Sequence, residues 1–110
     1  FEKKDLRIYG REIEEKDRLI RQAKNLEALG VDILLLECVH EEVTKVITGS
    51  VDIPVIGIGS GESCNGQVQV LYDILGISNN PPKFSKDYLQ DAGSISDAIK
   101  NFSNYVKNIK

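Results

Sequence analysis

Two hydrophobic rhythms alternate along this chain. Residues 12–29 carry an apolar stripe of Leu19, Ala23, Leu26 and the pair Ala28–Leu29, with Gly30 after them. That spacing predicts a helix, and the glycine a stop. Within it, Glu14 with Arg18, and Asp17 with Arg21, are spaced to pair across one turn. Val31-Asp32-Ile33-Leu34-Leu35-Leu36-Glu37 then carries an unbroken apolar run that ends in a carboxylate. It predicts a strand at 33–36 buried on both faces. A short helix is expected over 40–48, with Val43, Val46 and Ile47 inward. Ile53-Pro54-Val55-Ile56-Gly57-Ile58-Gly59 predicts a strand at 53–58, since Pro54 is tolerated at a strand start. Val68-Gln69-Val70-Leu71 alternates with Gln67 and reads as a third strand, a short helix being the competing reading. The Asn- and Pro-rich stretch from Ile77 to Lys83 predicts an irregular loop, and Lys86 to Leu89 a helical turn. Ile95, Ala98, Ile99, Phe102, Val106 and Ile109 give the clearest helical stripe, opened by Ser94 with Asp97 as a capping pair.

Helix, strand, helix, strand implies a parallel sheet covered by helices, an α/β fold. The strands at 33–36 and 53–58 are too apolar for exposed edges. Only about three strands are legible, whereas a closed barrel needs eight. Either partner chains or further chain must complete the sheet, and the second reading is preferred. The sequence begins without Met, as expected of an internal piece of a longer chain or of a processed product.

Composition excludes more than it selects. The chain is 41% hydrophobic and 28% charged, with a net charge of −3, which fits one ordinary domain and argues against nucleic-acid binding. No apolar run approaches the roughly 20 residues of a membrane span, and Phe1-Glu2-Lys3-Lys4-Asp5 has no signal-peptide core. Two cysteines, Cys38 and Cys64, cannot make a four-cysteine zinc site. Cys38, after an apolar strand, reads as a buried small hydrophobe, and Cys64 as a loop residue.

In parallel α/β proteins ligands bind beyond the carboxyl ends of strands. Glu37 stands at one such end, either as an ion-pair or capping carboxylate or as a general base or metal ligand. Gly57, Gly59 and Gly61 stand at another, either as a tight turn or as backbone that admits a ligand. They match neither the dinucleotide nor the P-loop spacing. His40, the single histidine, reads as satisfied locally, Asp73 as structural, and Lys83 and Lys86 as a solvated face.

A family resemblance runs through nearly the whole chain. Tyr9-Gly10-Arg11, Leu26-Glu27-Ala28-Leu29-Gly30-Val31, Leu35-Leu36-Glu37-Cys38-Val39, Ile53 through Gly61, Gly66-Gln67-Val68, Asp73-Ile74-Leu75-Gly76-Ile77 and Pro82-Lys83-Phe84 follow in order. Together they resemble the carboxyl-terminal part of the 3-methyl-2-oxobutanoate (ketopantoate) hydroxymethyltransferase family. Four places depart from its usual pattern: His40 for Pro, Asn65 for Asp, Tyr72 for His, and Ser78-Asn79-Asn80-Pro81 for a glycine- and histidine-bearing loop.

The resemblance implies a TIM (β/α)₈ barrel of the phosphoenolpyruvate/pyruvate-like group, of which residues 1–110 supply the last three strands and the terminal helices. It implies transfer of a hydroxymethyl group from 5,10-methylenetetrahydrofolate to 3-methyl-2-oxobutanoate, giving 2-dehydropantoate in pantothenate and coenzyme A biosynthesis. Glu37 would be the base, with Gly59 and Gly61 at the substrate floor. Mg²⁺ would be held by acids of the amino-terminal half, so no metal ligand is assigned here, and these residues alone would not turn over. A homo-oligomer, a decamer among the options, is implied, in the cytoplasm or, in eukaryotes, the mitochondrion. Two other readings stand beside it: a Mg²⁺-dependent, enolate-forming lyase or mutase of the same barrel group, and a non-catalytic scaffold using the helix at 95–109.

Overall fold

The computed structural model describes residues 6–109. Phe1–Asp5, the segment read above for a signal core, lies outside the described residues. The chain forms two compact units, Arg7–Val68 and one containing residues 69–109.

The first unit opens with α1, Ile13–Ala28. Gly30 ends it in the left-handed region (φ +96°). There its N–H donates to the Glu27 carbonyl while the Val31 N–H donates to that of Leu26, the two bonds of a Schellman motif. Arg18 pairs with Glu15 rather than with Glu14. The Glu15 carboxylate is held in place by the Gly10 N–H at 2.7 Å and by Arg7 at 2.8 Å, so it is the fixed partner.

Strands β1 (Leu34–Glu37), β2 (Val55–Ile58) and β3 (Gly66–Gln67) form a parallel sheet in that order, with α2 (Glu41–Ser50) crossing from the first to the second. The register sets Leu34 opposite Val55 and Glu37 opposite Ile58. α1 and α2 cover one face only: Leu34, Val55, Ala23, Val43 and Ile47 make its core, with Leu19, Ile20 and Leu36 against it. The other face is bare, and Leu35 is 60% exposed. The strand expected to be buried on both faces is therefore buried on one, because no element of this unit packs on the second.

The third strand is displaced from its expected place. It spans Gly66–Gln67, not Val68–Leu71. The Val68 N–H still donates to Gly57, but β2 turns away at Gly59 (φ +64°) and leaves no further backbone to pair with. Val70 instead precedes a short helix.

That helix, α3 (Leu71–Ile74), starts the second unit, and α4 (Ile95–Asn108) ends it. Ile74, Leu75 and Ala98 are buried with Tyr88, Leu89, Ala92 and Phe102 around them. The Tyr88 and Phe102 rings meet edge to face, 5.5 Å apart. The Ser94 hydroxyl accepts from the Asp97 N–H, the expected cap. Lys86–Leu89 is not a helical turn. Asp87 accepts from the N–H groups of Leu89 and Gln90, and this local side-chain bond replaces the helical one.

Candidate functional site

The carboxyl ends of β1 and β2 lie side by side because the strands are parallel. Side chains alternate across a strand, so Leu35 and Glu37 share a face with Ile56 and Ile58, away from the helices. Glu37 is exposed at the rim of that face and makes no ion pair among the described residues. It also lines a cleft of about 250 Å³ along the edge of β1, together with Tyr9, Leu19, Leu26 and Leu35. An exposed carboxylate at a strand end, beside an apolar surface, is placed where a ligand could meet it.

The chain turns sharply just after it. Cys38 has φ +54°, a left-handed conformation unusual for a residue with a Cβ. Its N–H donates to the Ile58 carbonyl at 2.9 Å, and its own carbonyl accepts from the Tyr9 N–H at 2.8 Å. The thiol is buried and free. Burial, then the charge of Glu37, push it up from its ordinary pKa, so it remains protonated at neutral pH. The reading of Cys38 as a small hydrophobe holds.

Ser60 was not singled out in the sequence, yet it is 1% exposed and sits at the centre of this turn. Its hydroxyl accepts from the Val39 N–H at 3.0 Å and donates to the Leu36 carbonyl at 2.9 Å. It thus ties down the residues on either side of Glu37-Cys38. A serine between two glycines just past an apolar strand was the available signal.

The glycines meet close packing within the chain. A Cβ on Gly57 would stand 2.8 Å from the Cys64 sulfur. A Cβ on Gly61 would stand 2.6 Å from Glu41 Cγ, and Gly61 is left-handed at φ +81°. The Glu62 N–H donates to the same Glu41 side chain. Cys64 is buried rather than a free loop residue, its thiol donating to the Gly66 carbonyl. Intrachain contact thus accounts for Gly57 and Gly61, and a turn for Gly59.

The other candidates resolve locally. His40 Nδ1 accepts from the Glu42 N–H at 3.3 Å and caps α2. Asn65 Oδ1 accepts from the Val55 N–H at 2.8 Å, a bond an Asp would make equally well. Asp73 is buried and accepts from the Ser78 hydroxyl. Tyr72 is 61% exposed on α3. Among the described residues no three His, Cys, Asp or Glu side chains converge to hold a metal ion.

Comparison with known proteins places the chain in a family. A family profile described as ketopantoate hydroxymethyltransferase matches residues 3–110. The 3-methyl-2-oxobutanoate hydroxymethyltransferase of Proteus mirabilis is 46% identical over 101 residues, 92% of this chain and 38% of that protein. That of Photorhabdus laumondii is 45% identical, with 92% and 38% covered. That of Pseudoalteromonas atlantica is 43% identical over 105 residues, with 94% and 38% covered. The chain therefore spans about 38% of the length of these relatives. By the profile and by identity across nearly its whole length, the chain belongs to the ketopantoate hydroxymethyltransferase family.

Proposed function

We propose that this chain is the carboxyl-terminal part of a (β/α)₈ barrel that transfers a hydroxymethyl group from 5,10-methylenetetrahydrofolate to 3-methyl-2-oxobutanoate. The bare apolar sheet face supports the first half of that reading. Leu35, Ile56 and Ile58 on it have the character of a barrel interior, which is filled by branched side chains from every strand. The exposed carboxylate of Glu37 at the carboxyl end of that face is the observation that carries the second half.

Glu37 is the base that takes the proton from C3 of the keto acid. The resulting enolate carbon attacks the methylene carbon of the folate, an iminium-like electrophile whose bonding pair returns to nitrogen. Net hydrolysis of the carbon–nitrogen bond then completes the transfer, water supplying the hydroxyl to the methylene carbon and a proton to the nitrogen of the released tetrahydrofolate. Gly59 and Gly61, which the turn and the Glu41 side chain already require to be glycines, would also form the floor of the substrate site in this reading. The magnesium ion implied by the resemblance finds no cluster of ligands among the described residues, and in this reading its ligands belong to the amino-terminal half. A homo-oligomer in the cytoplasm goes with this reading, and no described helix is long and apolar enough to cross a membrane.

The test is Glu37→Gln in the full-length protein. Exchange of the C3 proton with solvent should fall by about 10²–10⁴-fold, the usual contribution of a positioned base, while keto acid affinity stays within about twofold. Undiminished exchange refutes the base assignment.

A further inference from the structure

We propose that the left-handed kink at residue 38 positions the Glu37 carboxylate for proton abstraction, so that Cys38 serves through its backbone and not through its thiol. The proposal rests on the reading of Glu37 as base.

The kink is the sole left-handed non-glycine conformation among the described residues, and it falls immediately after the carboxylate. Such a conformation persists only when its surroundings over-determine it. Here they do. The Leu36 carbonyl is held by the Ser60 hydroxyl, the Cys38 N–H by Ile58, the Cys38 carbonyl by Tyr9, the Val39 N–H by Ser60, and the His40 N–H by the Tyr9 carbonyl. Five bonds thus fix the four residues around and after Glu37, from two separate segments of one compact unit, at Tyr9 and at Ile58–Ser60. A regular strand would continue past Glu37 with its next side chain on the helix-covered face. The kink instead ends β1 at Glu37, the chain then bridging to Tyr9 at Val39, and leaves the carboxylate as the last side chain of the strand on the bare face.

The thiol does not explain the placement. It is buried and its pKa is raised, first by burial and then by the Glu37 charge, and no metal-binding cluster accompanies it among the described residues. A glycine would adopt the same backbone with less strain. What a Cβ adds at this position is restriction, since it confines the residue to a small part of the left-handed region, where glycine roams widely.

Two substitutions separate the roles. Cys38→Ala and Cys38→Gly both delete the thiol, but only the second frees the backbone. In the full-length protein, Cys38→Ala should keep C3-proton exchange within about threefold of the parent. Cys38→Gly should exchange about 10-fold or more slowly than Cys38→Ala, because displacement of a catalytic group by about 1 Å costs up to about 10²-fold. Keto acid affinity should be equal in both, and the glycine variant should melt no lower than the alanine variant, being relieved of strain. A purely structural residue gives the reverse order, with the more stable variant at least as active. Equal exchange in the two overturns the proposal, as does a loss in Cys38→Ala as large as in Cys38→Gly. Glu37→Gln, run alongside, tells the two failures apart. If it abolishes exchange while the two variants at 38 behave alike, only the positioning role falls; if it leaves exchange intact, the base assignment falls and the positioning role with it.

Discussion

Gly57 offers the most direct test of how this chain is packed. Its backbone is ordinary strand, so an alanine there meets no conformational penalty. The cost is steric: the new Cβ stands 2.8 Å from Cys64 Sγ, closer than real carbon and sulfur atoms approach. The next neighbours, Ser60 Cβ at 3.5 Å and Cys64 Cβ at 3.8 Å, are ordinary contacts. Cys64 has no easy retreat. It is 5% exposed, its thiol donates to the Gly66 carbonyl at 3.1 Å, and its sulfur accepts from Gln67 Nε2 at 3.1 Å. Overpacking of this kind costs about 1–3 kcal/mol. With a urea dependence of about 1–3 kcal/mol per molar, the unfolding midpoint should drop by roughly 1 M. Removing the sulfur removes the obstacle, so Gly57→Ala in a Cys64→Ala background should cost less than about 0.5 kcal/mol. Ala is otherwise preferred to Gly inside a strand by about 0.5–1 kcal/mol, so the second alanine could even stabilise. The double-mutant cycle should thus show a coupling of at least about 1 kcal/mol, measured by urea unfolding followed by circular dichroism. Independent, additive costs at 57 and 64 would refute the assignment of Gly57 to steric necessity and return it to the ligand-facing reading.

Two further outcomes are expected. Ser94→Ala should destabilise by about 1 kcal/mol through loss of the α4 cap, read as a lower unfolding midpoint with unchanged slope. Glu15 is held below its ordinary pKa, chiefly by the Gly10 N–H and then by Arg7 and Arg18. A carboxylate with a lowered folded pKa stabilises above its unfolded pKa, and that contribution fades as pH falls through the folded value. Stability should therefore decline on acidification below about pH 4.5, and Glu15→Gln should flatten that part of the profile; an identical acid limb in the two proteins would contradict it.

The sequence by itself determined the elements whose signal is local. The period of α1 and α4, the apolar run of β1, the Gly30 stop and the Ser94 cap are all properties of neighbouring residues, and the structure places each within a residue or two of its expected position. The sequence also put Glu37 at a strand end, because an apolar run that stops on a carboxylate needs no tertiary information to be seen. What only the tertiary structure decided depends on residues far apart in the chain. That β3 ends at Gln67 follows from β2 turning away at Gly59, not from the alternation of Val68 and Val70. That Arg18 meets Glu15 follows from Gly10 and Arg7 having fixed that carboxylate first. That Gly57 and Gly61 must be glycines follows from Cys64 and Glu41 occupying the space a Cβ would take. Above all, the role of Ser60 and the kink at Cys38 could not be read in advance. Both arise where hydrogen-bond donors and acceptors from two distant segments close on one turn, and a pattern of hydrophobic and polar letters carries no record of which distant carbonyl a given N–H will find.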